Sequence, residues 1–250
     1  MSELPSNLHI ISYVSRAFIN RGNSLSATLS RIPGIKYRIY SEDDIPHEFI
    51  DRIGAEIWGA TKGAGYYSWK PWIINDYLKT LSEGDLVIYV DAGCITNLDK
   101  PYGRRKLNEY LDMVRDPTKC GLLRYELVGL PENKYTNQYF WDYMCARFPG
   151  TVDTNYYHTS QLVAGILFMR KCQWVCDLFS EAVSIIIDNP ELISEIHTKP
   201  GEIHRHDQSI LSLLYKIRGG DLVIPVKLYP RYLTIKERMI TPFLVAHKRR

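Results

Sequence analysis

The chain has 250 residues, 45% of them hydrophobic and 24% charged, with 31 basic against 28 acidic side chains. This balance excludes intrinsic disorder, collagen-like repeats and extended coiled coil, and the length suits one large α/β domain with a sizeable core. A net charge of +3 is too small to point to nucleic acid; five cysteines at irregular spacing argue against a secreted disulfide framework and for a reducing, cytoplasmic setting.

Residues 1–7 are polar and lack the basic-then-apolar order of a signal peptide. The longest apolar runs stop short of the ~20 residues a bilayer span needs. A soluble protein is expected, with peripheral attachment at a membrane surface as the alternative.

Leu8–Val14 (LHIISYV) reads as a buried strand, because it is short, apolar and rich in β-branched residues. Tyr37–Tyr40 is a weaker strand, closed by the helix-starting run Ser41-Glu42-Asp43-Asp44. Ile74, Tyr77, Leu78 and Leu81 recur at helical spacing ahead of the clearest strand, Asp85–Val90. Leu107, Tyr110, Leu111 and Val114 repeat that spacing after it. Strand and helix alternate, which predicts crossover connections and a mixed, mostly parallel sheet flanked by helices.

Further on, Cys120–Tyr125 is a strand candidate, and the aromatic-rich segment Tyr135–Phe148 is expected as a helix or a lid over a site. Gln161–Met169 reads as one apolar strand and Trp174–Ile187 as a long amphipathic helix. Ile210, Leu213, Leu214 and Ile217 mark a further helix stopped by Gly219-Gly220, and Asp221–Leu228 reads as the final strand. Tyr229–Arg250 has no strong period. No repeat or linker-like tract is visible, so a single domain over 1–250 is expected.

Two nucleotide-binding signatures fail. Gly63-Ala64-Gly65 precedes a helix, but Ser68 stands where a dinucleotide fingerprint needs its third glycine, and no clear strand leads in. A phosphate-binding P-loop sequence is absent. The strongest local signal is GAGYYSWKPW at Gly63–Trp72, followed by DLVIYVDAG at Asp85–Gly93. A carboxylate such as Asp91 at the carboxyl end of a central strand lies where open α/β sheets bind ligands, and Ala92 and Gly93 after it allow close approach to the backbone. Lys70, in the first turn of a helix, is placed to pair with a phosphate. The plainer alternative makes Asp91 a turn cap, Lys70 a solvated cation and the tryptophans core.

GAGYYSWKPWIINDYL followed by GDLVIYVDAGC resembles the nucleotide-sugar glycosyltransferases of GT-A fold, in particular those of bacterial surface-polysaccharide and viral glycan synthesis. Gln161–Leu167 is similar to the strand behind their acceptor and donor-sugar pocket, with Gln161, Ala164 and Gly165 as implied contacts. His206-Asp207-Gln208 resembles a helix start shared with family-8 glycosyltransferases. The resemblance spans the chain. It implies one GT-A (Rossmann-like) domain, with residues 1–100 binding nucleotide and 101–250 binding acceptor. The implied partners are a nucleotide-diphosphate sugar donor and a glycan or lipid-linked sugar acceptor.

The sequence departs from the family at one point. The metal-holding D-x-D reads Asp91-Ala92-Gly93 here, so its second carboxylate is missing, and a hard cation prefers several oxygen ligands. In related enzymes a histidine near the C-terminus completes the shell, a position His247 matches. Either Asp91 and His247 bind Mn²⁺ or Mg²⁺, or Lys70, Arg16 and the terminal Lys248-Arg249-Arg250 supply the positive charge instead. Ser15 and Arg16 follow the first strand, where this fold meets the base and ribose. The rings of Tyr66, Tyr67 and Trp69 are candidates to line the donor site, or plain core.

His204 and His206 alternate, but no second ligand pair lies at zinc spacing, and Cys172 and Cys176 fit burial on a helix face better than metal binding. Asp207 is an N-cap on local grounds; the resemblance makes it a sugar-hydroxyl ligand or catalytic carboxylate. The expected function is sugar transfer from a nucleotide-diphosphate donor to a hydroxyl acceptor. The alternative is a non-catalytic nucleotide-sugar or glycan-binding module on the same fold. A nucleotidyltransferase lacks its usual Gly-rich loop here, and nucleic-acid binding is not supported because the basic residues are dispersed.

Overall fold

A computed structural model of the chain describes residues 3–225 and 233–245. The first strand, β1 (Leu8–Tyr13), is buried at every position. The chain crosses through α1 (Ile19–Leu29) and returns as β2 (Lys36–Tyr40), parallel to β1 with His9 opposite Lys36. The polar run after β2 is a capping box, in which the Ser41 N–H donates to Asp44 Oδ2 at 2.7 Å. Next come α2 (His47–Ile53), α3 (Ala55–Trp58), a single turn α4 (Gly63–Tyr66), and α5 (Trp69–Lys79), which leads to β3 (Leu86–Val90).

β3 is buried on both faces, which explains its unbroken apolar sequence. Val87 and Tyr89 point into one core, and Leu86, Ile88 and Val90 into the other. Two core layers, each covered by helices, make a three-layer α/β architecture. A short strand β4 (Cys94–Thr96) follows, then α6 (Pro101–Arg115), whose Leu107, Tyr110, Leu111 and Val114 are all buried as their spacing predicts.

The second half contributes β5 (Leu122–Pro131), α7 (Glu132–Tyr135), α8 (Gln138–Arg147), β6 (Ser160–Leu162) and β7 (Ile166–Arg170). After these come α9 (Gln173–Asp188), α10 (Asp207–Ile217), β8 (Val223–Pro225), α11 (Ile235–Ile240) and β9 (Phe243–Val245). The main sheet runs β2-β1-β3-β7-β5-β6, with β8 also on β5. Pairings among β2, β1 and β3 and between β5 and β8 are parallel, whereas β7 is antiparallel to both β3 and β5. β4 and β9 form a separate antiparallel ribbon, Cys94 opposite Val245.

Three expectations change. The predicted strand Gln161–Met169 is two strands, because the chain passes between partners at Val163–Gly165: the Val163 N–H still donates to Tyr125 of β5, while the Gly165 carbonyl already accepts from Asp91 at the end of β3. The predicted final strand lies within the described residues only as Val223–Pro225, and α11 and β9 follow it in a segment that shows no period. Of the two readings of the aromatic segment, helix or lid, the helix holds and the lid does not: Phe140, Trp141 and Met144 of α8 are buried in the core that α9 also lines. Among the described residues no helix is long and apolar enough to cross a membrane. All five cysteines are free; Cys172 is buried ahead of α9 and Cys176 half-buried in it.

Candidate functional site

Asp91 is the first residue after β3, at the carboxyl end of a strand with parallel neighbour β1. Tyr89 lies two residues earlier on the same face, and its hydroxyl donates to Asp91 Oδ1 at 2.7 Å. The Asp91 N–H donates to the Gly165 carbonyl at 2.9 Å, so the break between β6 and β7 holds the Asp91 backbone. Asp91 keeps 28% side-chain exposure.

The cation facing Asp91 is Lys70, whose Nζ stands 3.3 Å from Asp91 Oδ1 and 2.7 Å from Asp207 Oδ2. Lys70 is not solvated; its side chain is 3% exposed and that of Asp207 is 6%. The ammonium also lies over the rings of Tyr67, Trp69 and Tyr89 at 5.1, 5.8 and 5.2 Å. Burial pulls the Lys70 pKa down, but the two carboxylates outweigh it and hold the group charged above its ordinary value. Burial pushes the Asp207 carboxyl up, opposed by the adjacent ammonium. The Tyr89 hydroxyl is raised by burial and by its bond to Asp91, which keeps it a donor.

The backbone entering α5 is unusual. Gly63, Ala64, Gly65, Tyr66 and Tyr67 all have φ between 49° and 87°. The remaining non-glycine residue with positive φ among the described residues is His206 (φ 49°), and its ring lies 4.9 Å from that of Tyr66. Such conformations cost of order 1–3 kcal/mol each and gather where a site demands them. Here they set the approach of α5 and α10, the two helices that deliver Lys70 and Asp207.

The other predicted site residues fall into distinct groups. Trp69 is buried, stacked on Tyr13 at 3.7 Å, with its indole N–H on the Gly63 carbonyl; it is wall rather than an open sugar platform. Gln161 is fully buried, and its amide bonds to Glu132, Thr136, Ser209 and the Tyr135 carbonyl while accepting from Gln208. It anchors Gln208 from inside and faces no crevice. His206 is buried and its Nδ1 meets the Ile193 carbonyl at 2.7 Å; burial lowers its pKa. Ala164 is buried and Gly165 half-buried, the latter against the Asp91 carboxylate. Ser15 is buried, whereas Arg16 is 84% exposed and ion-paired to Glu42 at 3.2 Å. Ala92 and Gly93 line a cavity of about 300 Å³ with Arg21, Ser24, Leu25, Thr28 and Cys94–Thr96.

His247 lies outside the described residues. Among the described residues no cluster of three His, Cys, Asp or Glu side chains could hold a metal. The donor set explains this: Gly93 removes one carboxylate, and Asp207, the next nearest, is bound to an ammonium. The described residues therefore do not fit a divalent ion.

Sequence reasoning missed two buried supports. Arg124, in the apolar run LLRYEL of β5, donates to the carbonyls of Leu162, Val163 and Leu211, each at 3.0 Å. Glu132 is fully buried and accepts from Ser212, Lys216, Gln161 and Thr136. A charge inside an apolar strand was the available signal for Arg124. Glu132 carried none.

Among solved structures, a glycosyltransferase involved in the glycosylation of the major capsid of PBCV-1 aligns over 97% of this chain and 94% of its own, at TM-score 0.50 and 13% identity. The WbbM bifunctional glycosyltransferase aligns over 97% of this chain and 46% of its own (TM-score 0.48, 12% identity), and mouse xyloside xylosyltransferase 1 over 88% and 85% (TM-score 0.44, 11% identity). No protein-family model and no curated protein matches the sequence. The architecture is α/β, a mixed central sheet flanked by helices. It is the GT-A-like glycosyltransferase fold, an assignment that rests on the first of these likenesses.

Proposed function

We propose that the protein is a glycosyltransferase that moves a sugar from a nucleotide-diphosphate donor to a hydroxyl group of a glycan or lipid-linked acceptor. The observation that carries this reading is the meeting of Asp91 and Asp207 on the buried Lys70 ammonium at the carboxyl end of β3. That edge of an α/β sheet is where ligands bind. Two carboxylates from distant parts of the chain converge there with one of them, Asp91, reachable from solvent.

In this reading Asp91 meets the donor, with its orientation held by Tyr89, Lys70 and the Gly165 carbonyl. Asp207 acts through Lys70, fixing the cation that fixes Asp91. Residues 1–100 form the donor half, with Ser15 and Arg16 toward the nucleoside, and 101–250 the acceptor half. Departure of the diphosphate develops negative charge, which fixed cations or a metal must stabilise. Since the described residues do not form a metal set, no step is placed on Mn²⁺ or Mg²⁺; the metal is a variable of the test.

The test is a thermal-shift screen of UDP-, GDP-, TDP- and CMP-sugars, each with and without Mn²⁺, followed by assay of released nucleotide. Stabilisation by a diphosphate sugar with nucleotide release supports transfer, because a ligand selective for the native state raises its stability. Failure of every donor to stabilise the protein overturns the reading. Gly93 in place of a second carboxylate favours the alternative, a non-catalytic binding module; stabilisation without turnover would select it.

A further inference from the structure

Of the cations expected to meet a diphosphate, the terminal Lys248-Arg249-Arg250 run lies outside the described residues, and the other two are ion-paired: Arg16 with Glu42 and Asp43, and Lys70 with Asp91 and Asp207. Arg21 differs. It lies in the first turn of α1, half-buried, over the ring of Phe18 at 5.5 Å, with no carboxylate in ion-pair distance among the described residues. It lines the cavity of about 300 Å³ together with Ser24, Leu25 and Thr28. These four positions follow the i, i+3, i+4, i+7 spacing and so form one face of α1.

The opposite wall of that cavity is the stretch Ala92–Thr96, which begins one residue after Asp91. The cavity thus adjoins the end of β3 on the α1 side, while the Asp91 carboxylate is held from the α5 side. Its volume is at the lower end of the range used for small ligands. Its wall combines one guanidinium, the hydroxyl-bearing residues Ser24 and Thr28, and the small residues Ala92 and Gly93, which let a ligand approach the backbone. An unpaired guanidinium is suited to phosphate, since its fork of N–H donors matches phosphate oxygens.

We infer that Arg21 binds the diphosphate of the donor in the cavity between α1 and Ala92–Thr96, and that this arginine rather than Lys70 supplies the positive charge there. The inference rests on the donor reading above and adds to it the residue and the part of the donor that it recognises. Arg21 reaches phosphate oxygens, whereas the nucleoside contacts other parts of the crevice.

The experiment compares UDP, GDP and TDP with their bare nucleosides by calorimetry and thermal shift, with and without Mn²⁺, on wild type, Arg21→Gln, Arg21→Lys and Arg16→Gln. Loss of one charge-assisted contact should weaken the bound diphosphate by about tenfold in Arg21→Gln. In Arg21→Gln nucleoside affinity should be unchanged, Arg21→Lys should recover part of the loss, and Arg16→Gln, on the nucleoside side, should weaken nucleoside and diphosphate to the same degree. If wild type binds a nucleoside diphosphate and Arg21→Gln binds it equally well, the role of Arg21 is overturned and the donor reading stands. If nucleoside and diphosphate weaken together in Arg21→Gln, Arg21 only shapes the cavity and the inference is again overturned. If neither diphosphates nor their sugars bind wild type, the donor reading itself fails, and the inference with it.

Discussion

Gly165 and Asp91 are fitted to each other without room for a side chain between them. A Cβ on Gly165 would stand 2.5 Å from Asp91 Oδ2, while the Gly165 carbonyl accepts the Asp91 N–H at 2.9 Å. The glycine is required by proximity, not by backbone conformation. It lets the same two residues bond through their backbones and pass at close range through a carboxylate.

Gly165→Ala should therefore displace the Asp91 carboxylate from Tyr89 and Lys70. Overpacking of this kind costs about 1–3 kcal/mol. The expected outcome is a folded protein with a modestly lower Tm and sugar transfer reduced far more than the stability. A variant with wild-type turnover would show that Asp91 need not hold its present orientation.

Asp91→Asn keeps the size of the side chain and its contact with the Tyr89 hydroxyl but removes the charge. Lys70 retains Asp207 as its partner, so the fold should survive. Turnover of the nucleotide sugar should fall by about a hundredfold or more, corresponding to ~2.7 kcal/mol of lost transition-state stabilisation. Initial-rate measurement of released nucleotide checks this.

Lys70→Met leaves Asp207 buried without its cation. Breaking a buried pair in this way should destabilise the protein by about 3–5 kcal/mol near neutral pH. The pH dependence follows from the signs of the shifts. In the wild type the Lys70 pKa is raised, so its contribution is complete below the unfolded lysine value and is lost as pH rises through the folded one. In the variant the raised carboxyl of Asp207 dominates, so stability should recover as the pH falls toward the range where that carboxyl takes a proton. Denaturant titrations near pH 7 and near pH 5 compare the two proteins. An equal gap at both pH values would mean that Asp207 is not the source of the loss.

Arg124→Met removes the donor that serves three buried carbonyls. Stranding even part of that set should cost about 3 kcal/mol or more, since each unsatisfied buried acceptor costs about 1–3 kcal/mol. The Arg124 side chain is fully buried, and that burial lowers the guanidinium to about 10. Because Leu162 and Val163 lead to Gly165 while Leu211 lies on α10 with Asp207, donor binding should weaken along with the drop in Tm. Calorimetry on the folded fraction measures the binding loss.

The frame of the protein was readable from patterns that depend on local order. The all-apolar β3 run, the helical spacing of Leu107 to Val114 and the Gly219 stop follow from which faces an element buries. Asp91 was legible for the same reason, because a polar residue ending such a strand marks the sheet edge. What escaped depends on distant contacts. The break at Val163–Gly165 exists because Arg124 and Asp91 take its carbonyls, and no run of apolar letters reports that. Lys70 reads as a phosphate partner or a solvated cation, and neither reading contains the two carboxylates and three rings that close around it. Arg21 stood in a polar stretch of α1 with nothing beside it to signal a cavity.

The ribbon formed by β4 and β9 sets the order in which this molecule can assemble. Cys94–Thr96, the strand directly behind Asp91-Ala92-Gly93, pairs with Phe243–Val245. The wall of the crevice thus takes as its partner a segment that follows every strand of the main sheet in sequence. Chains fold behind the ribosome at a pace set by elongation, and contacts so far apart in sequence form late. Without β9 the chain presents Asp91 beside an open strand edge, so the crevice acquires its wall only after β9 has been made.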